Sequence, residues 1–145
     1  MTIKTITAAE TRNLRQLTLR QHQPAETLVY PGDDDTDTVH FGAFEENVLV
    51  GIASVYKDKM KGNDEPESWR LRGMATSETG RGKGYGKELM NKCLEHVKIR
   101  KGKLFWCNAR ISAEGFYEKF GMKREGDVFF PEDLGPHVVM WVEVL

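Results

Sequence analysis

Apolar and polar residues alternate from Thr2 to Ile6, the period-two pattern of a short strand. Thr7 then stands where a helix would be capped, and Glu10 three positions on completes a capping box. The helix is expected to run through Leu14 and Leu17 towards His22, with Pro24 ending it. Leu28–Asp37 carries Pro31, Gly32 and four aspartates, which predicts an irregular surface loop. Thr38–Phe44 and Val48–Tyr56 read as two strands, and Glu45–Asn47 between them is a hairpin signal. Lys57–Glu67 is charged and broken by Gly62 and Pro66, so it suits an exposed connection. A further strand follows, with Trp69, Leu71 and Gly73 on one face and Arg70, Arg72 and Met74 on the other.

Beyond a Gly-rich turn, Leu89, Met90, Cys93, Leu94 and Val97 recur at helical spacing within Lys87–Lys101, and Gly102 is placed as the residue that closes this helix. Leu104–Cys107 is an almost unbroken apolar run, as in a strand buried on both faces. Ser112 is a candidate cap for a short helix through Phe116, Tyr117 and Phe120, ended by Gly121. A strand near Met122–Glu125, a loop with Pro131, Gly135 and Pro136, and a last strand over His137–Val144 complete the chain. The order predicts one α/β domain over residues 1–145: a mixed, mostly antiparallel twisted sheet of six to seven strands flanked by helices.

Composition changes this picture little. With 145 residues, 39% hydrophobic and 30% charged, the chain has the balance of one ordinary globular domain. Its 21 basic and 22 acidic residues give no argument for nucleic acid or a membrane surface. Apolar runs such as Val138–Trp141 are strand-sized, far below the roughly 20 residues that cross a bilayer. The first residues lack the apolar stretch of a secretory signal, so a cytoplasmic setting is expected. Cys93 and Cys107 form no CxxC pair and have no histidine at ligand spacing, so packed, reduced thiols without a metal are expected.

The densest chemical signal is Gly80–Gly86, between a strand and an amphipathic helix. Backbone amides at a helix start lack intrahelical partners, and their partial positive charge favours a phosphate. Glycines let the main chain approach an anion without Cβ clashes. Arg81, Lys83 and Lys87 add positive charge. A Walker A loop is absent, because the required second glycine falls on Tyr85 or Lys87. The dinucleotide fingerprint fails at the same two positions, and an unliganded flexible loop is the plain alternative.

What the turn does match is Arg-x-x-Gly-x-Gly, through Arg81, Gly84 and Gly86. With Leu71–Thr76 upstream and Trp106–Arg110 and Phe116–Met122 downstream, the chain resembles the GNAT superfamily of N-acetyltransferases. The resemblance implies acetyl-CoA as acyl-donor cosubstrate and a primary amine, on a small molecule or peptide, as acceptor. It assigns Arg81, Gly82, Lys83, Gly84, Tyr85 and Gly86 to the pyrophosphate, through their amides. It assigns Met74, Ala75 and Thr76 to main-chain pairing with the pantetheine arm, with an NH near Met74 polarising the thioester carbonyl. Asn108, at the end of its strand, is implied to contact the pantetheine or orient the acceptor, or else to serve a turn.

Tyr117 occupies the position of the general acid implied by the resemblance; a phenol of ordinary pKa about 10 stays protonated at neutral pH and can donate to a thiolate. Core packing with Phe116 and Phe120 is its alternative role. The strand before the turn lacks the glutamate that some members place there, which leaves Glu67, His137 or water as base. Asp33, Asp34, Asp35 and Asp37 either attract a cationic amine or are solvated surface. Leu28, Tyr30, Trp69, Phe129 and Phe130 are candidates for lining an acceptor pocket, or for the core. A non-catalytic acyl-CoA-binding sensor is the alternative function, disfavoured because binding alone needs no phenol beside the sulfur. The terminal strands offer edges that a second copy could cover, which leaves a homodimer open.

Overall fold

Strand β1 (Thr2–Ile6) leads into helix α1 (Ala8–Thr18), and the expected capping box is present: Glu10 NH donates to Thr7 Oγ1 at 3.2 Å and Thr7 NH to Glu10 Oε1 at 2.9 Å. The computed structural model describes residues 2–131 and 134–145. Helix α1 stops at Thr18, a turn short of the sequence expectation, where the Thr18 hydroxyl donates back to the Leu14 carbonyl. Strands β2 (Val39–Glu45) and β3 (Val48–Lys57) form the hairpin, with Glu46 and Asn47 both at positive φ, as a two-residue hairpin turn of this hand requires. Then come β4 (Ser68–Thr76), α2 (Tyr85–Ile99), β5 (Leu104–Arg110), the short α3 (Glu114–Glu118), β6 (Lys123–Phe129) and β7 (His137–Glu143). The loop expected around Pro131–Pro136 includes Glu132 and Asp133, which lie outside the described residues.

All seven strands join one sheet in the order β1-β2-β3-β4-β5-β7-β6. Neighbours are antiparallel except β4 and β5, which run parallel with α2 as the crossover. The last strand is interior, between β5 and β6, so β1 and β6 are the edges and β7 offers none to a second subunit. Helix α2 lays Leu89, Met90, Cys93 and Val97, all at 0% exposure, on one face of the sheet. Each such side chain contributes about 1.5–3 kcal/mol relative to exposure. Helix α1 covers the other face, where Leu14 packs with Ile6, Ile52 and Ala75. Among the described residues no helix is long and apolar enough to cross a membrane.

Two local readings change. Lys101, at φ +59, takes the left-handed position after α2, and Gly102 NH donates to the Val97 carbonyl at 2.8 Å. Gly102 is needed for space instead: a Cβ there would collide with Val97 and lie 2.7 Å from Trp69 Cδ1. Ser112 caps nothing; it lies inside a 3-10 turn, Ile111–Ala113, and α3 begins after Ala113 without a side-chain cap.

Strand β4 carries the feature that makes a site. Its pairing with β3 slips between Ile52 and Ser54, and Gly73, at φ +67, absorbs the extra residue as a bulge. Alternation therefore reverses there. Trp69 and Leu71 face α2, and after the bulge Met74 joins them while Ala75 turns to the α1 side. On its other edge β4 pairs with β5 only at Ser68–Arg70, opposite Leu104–Trp106. From Leu71 onward the two strands separate.

Candidate active site

The separation opens a cleft of about 270 Å³ between β4 and β5. Its walls are Arg70–Met74 from β4 and Cys107–Arg110 from β5, and Tyr117 of α3 closes one side. Because the β4 edge from Leu71 to Thr76 has no β5 partner, a stretch of main chain is left for an extended ligand to pair with. Met74 and Thr76 are half-buried on this stretch and Ala75 is buried. Asn108 is exposed where β5 departs from β4; the strand continues past it to Arg110, so Asn108 is not the strand end that its sequence context suggested.

Beyond Thr76 the chain is pinned to β3 by Ser77 NH donating to the Val50 carbonyl at 2.8 Å. Gly80 then fits against Val50, where a Cβ would meet the Val50 Cβ at 3.1 Å and its carbonyl oxygen at 3.2 Å. The last turn bond is Arg81 NH to Glu78 O, and the first helical bond is Glu88 NH to Gly84 O. The six NH groups between them, Gly82 through Lys87, have no acceptor among the described residues. Gly84 caps α2 at φ +84, and Gly82 has φ +75; a Cβ at either would meet no described atom within 4 Å. Amides without acceptors on a glycine turn at a helix start are a set of donors that would suit a diphosphate.

Side chains add less than the sequence implied. Lys83 Nζ binds Glu45 at 3.0 Å, an exposed pair of small energetic weight, and so is drawn away from the turn. Tyr85 buries its ring in the core, leaving only its NH for a ligand. Arg81 and Lys87 are exposed at the turn. Gly86 lies against Phe116, whose ring would be 3.5 Å from a Cβ there, and this contact sets α3 beside the start of α2.

Tyr117 is packed edge-on to Phe116 and is nearly buried, yet it lines the cleft. Burial, and then the nearby Cys107 and Cys93 sulfurs, push its phenol well above the usual tyrosine range, with no hydrogen bond contributing. The ring therefore packs in the core, as one of the two sequence readings had it, and also lines the cleft. Cys107 lines the cleft too, but desolvation pushes its thiol up to about 12, so it stays protonated and a poor nucleophile. Both cysteines are free and buried. Among the described residues no group of three or more His, Cys, Asp or Glu side chains is placed to hold a metal ion.

Of the two side-chain bases considered, the structure brings only His137 to the cleft. Its Nδ1 donates to the Gly135 carbonyl at 3.0 Å, which leaves Nε2 as the acceptor of the neutral ring. Glu67 precedes β4, 3.5 Å from Lys57 and outside the cleft. Among the candidates for an acceptor pocket, Tyr30 and Phe129 line the cleft, whereas Trp69 and Leu28 are core and Phe130 is exposed.

The largest departure concerns the aspartate run. Asp33 is not solvated: its carboxylate accepts from Arg15 Nη1 at 2.7 Å, Arg15 Nη2 at 3.0 Å, Tyr30 NH at 2.8 Å and the Tyr56 hydroxyl. His40 joins through Ser54 and the Asp33 carbonyl. Burial alone would raise the Asp33 pKa, but the bonds from Arg15, Tyr56 and Tyr30 hold it below the usual carboxylate value. The Arg15 guanidinium stacks on Tyr30, 3.9 Å from its centroid, so the network fixes one wall of the cleft. Asp37 pairs with Arg100, while Asp34 and Asp35 are exposed.

A split parallel pair, an unpaired strand edge and a turn whose amides lack acceptors among the described residues lie in sequence from cleft to helix start, an arrangement suited to an extended ligand. The chain belongs to the acetyltransferase (GNAT) family, whose sequence pattern matches residues 8–122. It is 36% identical over 140 residues to the uncharacterized N-acetyltransferase YitI of Bacillus subtilis (strain 168), covering 96% of this chain and 93% of that one. It is an acetyl-CoA-dependent N-acetyltransferase. The fold is shared with Escherichia coli ElaA, at TM-score 0.77, 23% identity and 97% of each chain. It is also shared with an aminoglycoside 6'-N-acetyltransferase complexed with coenzyme A, at TM-score 0.75 and 17% identity over 100% of this chain and 98% of that one.

Proposed function

We propose that the cleft transfers an acetyl group to a primary amine of a small molecule or peptide, with the turn, the free β4 edge and Tyr117 as its working parts. The observation that carries this reading is the run of six unpaired amides at Gly82–Lys87, from which the unpaired β4 edge leads to a buried phenol. Acetyl-CoA supplies an activated acyl thioester when bound. The amides of Gly82, Gly84 and Gly86, with those of Lys83 and Tyr85, hold the pyrophosphate, and Arg81 adds a flanking charge. Met74, Ala75 and Thr76 offer the unpaired main chain to the pantetheine amides, and Asn108 faces the same space from β5. Tyr117, kept protonated by burial, donates its proton to the departing sulfur. Nε2 of His137 is the acceptor available for the proton of the amine.

Gly84→Val tests the turn. A β-branched residue at φ +84 is strained and puts methyl groups where the anion must approach. Calorimetric titration is expected to show CoA affinity reduced at least about tenfold, with a matching rise in KM for acetyl-CoA in a thiol-release assay over a panel of amines. Unchanged affinity in a folded variant would remove the turn from the site.

A further inference from the structure

The same cleft is lined by Arg20, Arg70, Arg72 and Arg110, and no acidic residue is among its described lining residues. Arg72 is the telling one. It is half-buried, its guanidinium lies 4.1 Å from the Tyr30 centroid, and among the described residues it makes neither an ion pair nor a hydrogen bond. Arg15, the other cation against Tyr30, is paired through both Nη groups with Asp33. Arg70 reaches Asp58 only at 3.5 Å and has a buried Nε without a partner. Arg110 spends one Nη on the Leu19 carbonyl at 3.1 Å. A half-buried guanidinium crowded by like charges is costly without an anion. Burial first, and then the Arg70 charge, hold its pKa below the usual arginine value.

Resting on the reading of the cleft as the acetyl-transfer site, we infer that the acceptor is a small amine that also carries an anionic group, a carboxylate foremost, and that Arg72 binds it. A guanidinium fork is shaped for bidentate carboxylate recognition, and a cleft whose described lining carries four arginines and no carboxylate concentrates anions. Arg72 precedes Met74 by two residues on β4, with the Gly73 bulge between them. It therefore lies beyond the main-chain segment assigned to pantetheine, on the side away from the Gly82–Lys87 turn. An arginine and a small amino acid together span that interval. The cleft, about 270 Å³, is just below the usual size of small-molecule sites. Acceptors with several ammonium groups would meet the four arginines with like charge.

Matched pairs test the inference. Thiol release is measured with phenylalanine against phenethylamine, and with O-phosphoethanolamine against ethanolamine, for the unmodified enzyme, Arg72→Met and Arg72→Lys. The carboxylate-bearing member is expected to have the higher kcat/KM by about 10- to 100-fold, through KM, and Arg72→Met is expected to erase most of that ratio while Arg72→Lys keeps part of it. A larger ratio for the phosphate pair would identify phosphate as the anion. N-acetylphenylalanine and N-acetylphenethylamine are then titrated calorimetrically against CoA-saturated protein. Tighter binding of the carboxylate, lost in Arg72→Met, supports the inference even where no amine is acetylated, an outcome that would overturn the catalytic reading alone. Equal binding of the two products, or kcat/KM values within about threefold across each pair, would overturn the anion-bearing acceptor and leave the catalytic reading standing.

Discussion

Replacing Tyr117 by phenylalanine is expected to lower kcat by about 10²- to 10⁴-fold while leaving the affinity for CoA within about twofold. The substitution removes only a hydroxyl from a ring that α3 packs against Phe116 beside the cleft, so folding should survive. Its buried phenol is held above the usual tyrosine range, so kcat of the unmodified enzyme should show no alkaline limb from this group between about pH 6 and 9. Steady-state rates of thiol release across that range check both statements. A near-normal rate in Tyr117→Phe would transfer protonation of the sulfur to water and return Tyr117 to a purely packing role.

The second large effect is on stability. Asp33→Asn should destabilise the fold by about 3–5 kcal/mol, because Arg15, with 0% side-chain exposure, would keep its charge without a counter-ion. For a chain of this size that is a fall in Tm of roughly 10 °C or more. Arg15→Met should cost a similar amount, and the double variant Arg15→Met/Asp33→Asn clearly less than the sum. Additive losses, or single losses under about 1 kcal/mol in chemical denaturation, would contradict the burial of this pair. The sign of the pH dependence follows from the lowered carboxyl pKa: the stabilisation is fully present above the unfolded value near 3.9 and is lost as pH falls through the folded one. Since Arg15 underlies Tyr30, Asp33→Asn should also disturb the cleft wall and raise KM for the acceptor.

What the sequence made legible was what is local in the chain. The capping box of Thr7 and Glu10, the face of α2 and the turn at Arg81–Gly86 each depend on residues a few positions apart, and each was readable. The cleft is different, because it exists only where β4 and β5, more than thirty positions apart in sequence, stop pairing. The one local sign of the bulge that reverses the strand's faces and sends Met74 to the α2 side is Gly73 itself, an isolated glycine inside a strand. The Arg15–Asp33 pair escaped because Asp33 was read with its aspartate neighbours as one loop. A signal was available in α1: Arg15 follows Ala8 and Thr11 at helical spacing on the buried face, and an arginine there requires a buried anion from elsewhere. The arginines inferred to set the acceptor preference were hidden for a related reason. Arg20, Arg70, Arg72 and Arg110 are dispersed in sequence and converge only around the opening between β4 and β5.

The most direct measurement is an amide-resolved NMR titration of the ¹⁵N-labelled protein with coenzyme A, followed by the same titration with pantetheine. Coenzyme A is expected to move the Gly82, Gly84 and Gly86 amide protons strongly downfield, as charged acceptors do, and pantetheine, which lacks the diphosphate, to leave them nearly unmoved. Saturable coenzyme A binding with those three resonances unshifted would contradict the account.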